Sequence, residues 1–174
     1  MESLDRSFGL VIAFLLPGFV CLFGVSNFSP TLAAWMSSEP SRDPSVSGFL
    51  YVVMGSLAAG LTVSAVRWAV VDQFHHATGL SRPDFNYATL TEHLLAFQLA
   101  VEHNYRYFQF YANMAVALFI FAACNQAAFG LWSWLSWIGL FCLEIVLLAA
   151  SRDSLGRFYS RVALVLGTRD ELLE

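Results

Sequence analysis

Four long, predominantly apolar runs with few charged residues constrain the fold of this chain more than any other feature of its sequence. They lie at residues 8–26, 49–71, 108–124 and 131–150. The hydrocarbon core of a bilayer is about 30 Å thick, and a helix needs about 20 residues to cross it. Because backbone polar groups must be hydrogen-bonded internally in lipid, each run is predicted to be a transmembrane helix.

The composition also indicates that lipid surrounds most of the chain. Hydrophobic residues make up 57% of the 174 residues and charged residues only 13%, whereas a soluble domain carries about 25% charged residues. The net charge is −4 and lysine is absent, so no nucleic-acid partner is expected. The predicted fold class is an all-α integral membrane protein, with residues 1–174 forming a single four-helix membrane domain.

The first run is expected to stay in the protein rather than to be removed as a signal peptide. It is longer than a typical signal core and lacks a small-residue cleavage pattern. Pro17 and Gly18 lie near its centre, and a proline removes one backbone hydrogen bond, which predicts a kink there. Such breaks line pathways in some transporters, but a purely structural kink is the favoured interpretation.

Arginine placement predicts the orientation, because positively charged loops stay in the cytoplasm. With both termini inside, only Arg42 among the arginines is external. Trp35, Trp132 and Trp134 then fall at the outer interface and Trp68 at the inner one, where amphipathic rings prefer to lie. The chain is expected to be a multi-pass protein with both termini inside, and the bacterial inner membrane is the expected location.

The segment before the third run predicts a helix that projects into the cytosol. Thr89 and Glu92 match a capping box, so one helix is expected to start near Leu90 and to continue through the third span, with residues 89–107 in the cytosol. Its apolar residues form a stripe on one face, called the 90–105 stripe: Leu90, Leu94, Phe97, Val101 and Tyr105. Such a stripe needs a partner in water, which is another subunit, another segment of this chain or a second protein.

Residues 151–167 are predicted to form an amphipathic helix that lies along the inner leaflet. Its apolar residues are Leu155, Phe158, Tyr159, Val162 and Leu166. On the flank of this face lie Arg152, Arg157 and Arg161. These arginines are expected to meet the anionic headgroups of the lipid bilayer.

Glu144 is an ionisable residue inside the fourth run, which makes it a functional candidate because a charge in hydrocarbon needs a partner. By depth, the candidate partners in an intramembrane polar network are Arg67, Asn113, Gln109 and Tyr111. The favoured interpretation is a buried Arg67–Glu144 pair that fixes the packing of the helices. The alternative is a role of Glu144 in the passage of ions or protons.

Small residues recur every four positions in the second run, at Ser56, Gly60 and Ser64. Small side chains at this spacing let two helices approach closely. The pattern predicts that this face packs against protein, with either the first span or a neighbouring subunit as its partner.

No motif in the sequence indicates catalysis or a cofactor. The chain lacks a nucleophile elbow, a phosphate-binding loop, a dinucleotide-binding glycine pattern and a paired-cysteine motif. The four histidines do not have the spacing of metal ligands: His75, His76, His93 and His103. Neither an enzyme, nor a cofactor, nor a metal site is therefore expected.

Three functions fit these features. The first is a homo-oligomeric pore or membrane-permeability effector that is regulated through its cytoplasmic helices, with a cytosolic system such as one of bacterial defence as its partner. The second is a membrane anchor or adaptor that recruits a cytosolic or membrane protein. The third is a transporter of a small or proton-linked solute, which is the weakest because four spans leave little room for a substrate cavity.

Overall fold

The computed structural model describes residues 9, 11–36, 46–85, 87–91, 93–125 and 134–167. In these ranges the chain is all-helical, as the sequence predicts. Four helices of the described part are long and apolar enough to cross a membrane. The prediction of four helices of transmembrane length and composition is therefore confirmed.

The helices are numbered α1 to α5 in chain order. They are α1 (Val11–Phe28), α2 (Pro30–Met36), α3 (Val46–Arg67, continued by Trp68–Asp72 and Gln73–Ala77), α4 (Leu94–Cys124) and α5 (Trp134–Leu166). The short helix α2 follows Ser29, whose hydroxyl accepts a hydrogen bond from the backbone N–H of Leu32 at 3.4 Å. This is the N-cap that the serine and proline pair favours.

Two of the long helices extend well beyond a bilayer. α4 has 31 residues and α5 has 33, so each exceeds a hydrocarbon core by roughly 15–20 Å. The excess of both helices lies at one end, where the start of α4 packs against the last turns of α5. The end of α3 and the turn after it join them there. We call the described parts of residues 72–105 and 152–167 the cap.

The start of α4 differs from the prediction. A 3₁₀ turn at Tyr87–Thr89 is closed by a 3.2 Å bond from the Leu90 N–H to the Tyr87 carbonyl, and the helix begins at Leu94, one turn later than predicted. Glu92 of the predicted capping box lies outside the described residues. From Leu94 the helix runs without interruption to Cys124, through a π-helical turn at Val101–Tyr105.

The tail also differs from the prediction. Residues 151–166 continue α5 as one straight run of helix instead of forming a separate helix along the leaflet. The reason lies in the packing of the apolar face: Val162 and Leu166 are buried with Ala100 of α4 and with Phe85. A helical partner in the same chain therefore covers the face that was expected to meet lipid.

α1 is the helix on which α3 packs most closely. A Cβ atom placed on Gly18 would lie 1.8 Å from the Ser56 carbonyl oxygen, and one placed on Gly60 would lie 2.0 Å from the Phe14 carbonyl oxygen. Only residues without a side chain fit at these two positions, because the two backbones are in contact. The small-residue pattern therefore packs against the first span, with Ser64 partly buried at its edge.

α1 also packs along α4. A Cβ atom on Gly24 would lie 2.7 Å from the Phe121 Cα atom. At the end of the bundle opposite the cap, Asn125 donates to the Gly24 carbonyl at 3.3 Å, and Asn27 donates to the Asn125 side chain. α5 packs on another face of α4, so α4 is the central helix.

Candidate functional site

Arg67 is buried where α3 passes the cap, with 4% of its surface exposed. Its Nη1 atom lies 3.5 Å from Asp72 Oδ1, and its Cζ atom lies 4.8 Å from the centre of the Phe108 ring. The π-helical turn at Trp68–Asp72 places the aspartate beside the guanidinium. Arg67 therefore pairs with a residue of its own helix and is covered by α4.

The predicted pair between Arg67 and Glu144 is not formed. Asp72 is only five residues from Arg67 and takes the position of the anion. Glu144 lies on α5, which packs against α4 and not beside Arg67. The favoured interpretation of Glu144 as the partner of Arg67 is corrected accordingly.

Asn113 joins α4 to the proline break of α1. Its Nδ2 atom donates to the Ala13 carbonyl at 2.8 Å, and the side chain is fully buried. In an α-helix this carbonyl would accept from the N–H of residue 17, which proline lacks. The break is placed as predicted, because the π-helical turn Val11–Leu15 changes to α-helix immediately before Pro17.

Gln109 and Tyr111 do not join a network around Glu144. Both side chains are partly buried, and the Tyr111 ring packs beside those of Tyr107 and Phe110, with centroid distances of 6.3 and 5.4 Å. Within the described part of the chain, neither residue forms a hydrogen bond to Glu144. The five predicted polar residues are thus divided among separate contacts.

Glu144 lies on the side of α5 that faces α4, on the same helix face as Ser151 and Leu155. Ser151 and Leu155, on the same face of α5, are buried against α4. Leu148 still packs there, but Glu144, one turn further from the cap, is only partly buried. Its Oε1 atom is buried and forms no hydrogen bond with any described residue.

The burial of α4 changes along the face that it turns to α5. Phe108 and Ala112 pack against Leu155 of α5, and Val116 and Leu148 pack against the same cluster. Phe119 shares this helix face with Phe108 and Ala112 but is 70% exposed. The described residues therefore cover Phe119 less than they cover the part of this face nearer the cap.

The 90–105 stripe is covered mainly by the tail of the same chain. Leu90 and Phe97 pack against the cluster that contains Val162 and Leu166. The Tyr105 ring lies 5.1 Å from that of Phe158. Of the three partners considered for the stripe, the structure shows another segment of this chain. Val101 is partly buried, and Leu94 remains exposed.

An apolar ridge on the cap is left uncovered. Its members are Leu94, Leu95, Leu99 and Leu164, and 87% of the Leu164 surface is exposed. Leu94 is the one residue of the predicted stripe that belongs to this ridge.

Sequence reasoning missed the role of His75, which is buried between helices. Its Nε2 atom lies 2.8 Å from Ser151 Oγ, and that hydroxyl donates to the Leu148 carbonyl at 2.8 Å. Since the hydroxyl has one hydrogen, His75 donates from Nε2. The spacing of Arg67, Val71 and His75 at four-residue intervals on one buried face was the signal for this position.

A cavity of about 400 Å³ lies in the cap between the ends of α3, α4 and α5. Aromatic side chains form most of its wall, among them Trp68, Phe97 and Tyr105. Arg82 lies at its edge and donates to the Tyr87 hydroxyl at 3.1 Å. This bond raises the pKa of Arg82, so the guanidinium stays charged.

The three arginines predicted to meet headgroups lie along one stretch of α5. Arg152 donates to the Thr78 carbonyl at 2.9 Å and also to its hydroxyl. Arg157 pairs with Asp153 at 2.8 Å on the exposed surface. Arg161 lines the same groove as these two. The structure thus brings the three residues together.

Neither the possible metal ligands among the described residues nor the comparisons with known proteins indicate what this chain does. Among the residues that the structure describes, no three His, Cys, Asp or Glu side chains converge. No protein-family model, no curated protein and no solved structure matches the chain. The function is therefore argued from the arrangement of the residues themselves.

Proposed function

We propose that this chain is the subunit of a homo-oligomeric membrane protein that makes a membrane permeable to small cations, with Glu144 on the path of the ions. The cap and both termini are in the cytoplasm, where the cap regulates the pathway. The observation that carries the proposal is that Glu144 Oε1 is buried on the side of α5 toward α4 and forms no hydrogen bond with any described residue.

A carboxyl group at this depth favours assembly. Hydrocarbon offers no hydrogen bond to it, and the cost of an isolated charge in the bilayer is several kcal/mol, at least about 2.5. A single copy leaves Glu144 Oε1 buried without a hydrogen bond among the described residues. If several copies are arranged around an axis, their Glu144 side chains form a ring that water can reach. Rings of carboxylates are a recurrent feature of cation channels.

The orientation is supported by the arginines. Every arginine that the structure describes lies at the end of the bundle that carries the cap: Arg67, Arg82, Arg106, Arg152, Arg157 and Arg161. Because positive residues are retained in the cytoplasm, this distribution supports a cytoplasmic cap. The arginine distribution is compatible with the bacterial inner membrane, which we propose as the location.

Flux through reconstituted liposomes tests this function. The wild-type protein should release trapped cations, and Glu144→Gln should lower the flux at least about tenfold because it removes the charge that attracts cations. Cys142→Ser is the matched control, because this exposed residue lies two positions away on α5. Absence of flux from the wild-type protein, or equal flux from Glu144→Gln, would overturn the proposal.

The second candidate function is a membrane adaptor, and the apolar ridge favours it. Exposed leucines outside the bilayer mark a surface for protein contact. Leu95→Asp should then abolish co-purification of a partner without changing the mass of the membrane particle. Thr91→Asp is the control, since this exposed residue precedes the ridge. Retention of every co-purifying protein by Leu95→Asp would exclude this candidate.

A further inference from the structure

A groove runs along α5 at the junction between the span and the cap. It is lined by Ala149, Arg152, Gly156, Arg157 and Arg161 of α5 and, on its other side, by Leu80 from the turn after α3. The groove offers about 580 Å³. We call it the arginine groove.

The charge of the groove is positive. Three guanidinium groups line it against one carboxylate, that of Asp153. Arg152 is held in place by two hydrogen bonds to Thr78, so its position is fixed before any ligand binds. Arg157 forms an exposed ion pair with Asp153, and water strongly screens the attraction between these two charges.

The groove continues an apolar surface of the span. Ile138, Ile145 and Ala149 lie on one face of α5 at intervals of seven and four residues, and all three are exposed. Arg152 and Gly156 follow on the same face, three and seven residues after Ala149. Along this line the helix presents apolar surface first and the Arg152 guanidinium next, and Arg157 and Arg161 line the same groove on the adjacent face of α5.

We propose that the arginine groove binds an anionic phospholipid, with its phosphate between Arg157 and Arg161 and its acyl chains along the apolar face of α5. A phospholipid has the same order of groups as this surface. Guanidinium groups bind phosphate oxygens through paired, charge-assisted hydrogen bonds. Free phosphate would use the arginines but would leave the apolar face without a role. The proposal requires only that α5 spans a bilayer and does not depend on cation conduction.

Lipid binding is measured by native mass spectrometry of the purified protein in detergent with added phosphatidylglycerol or phosphatidylcholine. The wild-type protein should retain phosphatidylglycerol in preference to phosphatidylcholine. Each arginine near a membrane surface contributes roughly fivefold to anionic lipid binding, so Arg157→Gln with Arg161→Gln should weaken retention about 25-fold. Asp153→Asn should strengthen it, because Arg157 is then freed for the lipid.

The controls distinguish lipid binding in the arginine groove from general attraction of anionic lipid to positive charge, and from binding of free phosphate. Arg82→Gln removes an arginine of the cap that does not line the groove, and it should leave retention unchanged. Circular dichroism checks the fold of each variant, and an exposed pair such as Arg157–Asp153 contributes little to it. Equal retention by the double variant and the wild type would overturn the proposal. So would an equal loss in Arg82→Gln, or full displacement of the lipid by millimolar inorganic phosphate.

Discussion

The side-chain amide of Asn113 donates to the carbonyl of Ala13 at 2.8 Å, across the interface between α4 and α1. Pro17 deprives that carbonyl of its helical donor, so a residue one hundred positions away in the sequence supplies the missing bond. Without it, the carbonyl would be unpaired in an apolar interior. This relationship explains how α1 tolerates a proline near its centre.

Asn113→Ala should lower the free energy of unfolding in detergent by about 1–3 kcal/mol, because it leaves a buried acceptor unpaired. In a Pro17→Ala background the loss should be smaller, since residue 17 then regains an N–H. Asn104→Ala is the control, because Asn104 bonds only to the Ala100 carbonyl of its own helix. Equal losses in both backgrounds would contradict the assignment.

Gly60→Ala should destabilise the bundle by about 1–3 kcal/mol or more, because the new methyl group meets the backbone of α1. Gly139→Ala is the matched control, since a Cβ atom there meets nothing within 4 Å. Unfolding in detergent, monitored by circular dichroism, measures both variants. If Gly60→Ala proves as stable as Gly139→Ala, the close contact between α1 and α3 is not formed.

Asp72→Asn should destabilise the protein by about 3–5 kcal/mol, because it leaves the buried Arg67 without its anion. Asp153→Asn makes the same chemical change in an exposed pair and should cost about 1 kcal/mol or less. Adding Arg67→Met to Asp72→Asn should recover much of the loss. A large coupling free energy between Arg67 and Glu144 in a double-mutant cycle would instead support the predicted Arg67–Glu144 pair, which is not formed in the structure.

Val162→Asp should separate the tail of α5 from the start of α4, because Val162 is fully buried between them. Amide hydrogen exchange of residues 155–166 should then become faster, because the free energy of local opening is lower. Leu164→Asp lies two positions away on the exposed side and should leave the exchange unchanged. Identical exchange in the two variants would show that the cap is not held by this contact.

The features that could be predicted are those that depend on residues close together in the sequence. Length and hydropathy located the four long helices, and the four-residue spacing of Ser56 and Gly60 identified a face for close packing. Each of these signals lies within one helix, where the positions of side chains follow from a fixed helical period.

The features that the sequence did not predict depend on which helices meet. Apolar stripes on the start of α4 and on the tail of α5 were both visible, but only the fold shows that they cover each other. The sequence analysis paired Arg67 with Glu144, whereas the π-helical turn places Asp72 beside Arg67. The bond from Asn113 to Ala13 joins distant parts of the chain, for which periodicity carries no information.

The mass of the particle in lipid nanodiscs tests the proposed assembly most directly. Native mass spectrometry or mass photometry of the purified protein should find a particle that contains two or more copies of the 19.3 kDa chain. A particle that holds a single 19.3 kDa chain under all lipid conditions would contradict the account, because Glu144 would then have no second copy to meet in the bilayer.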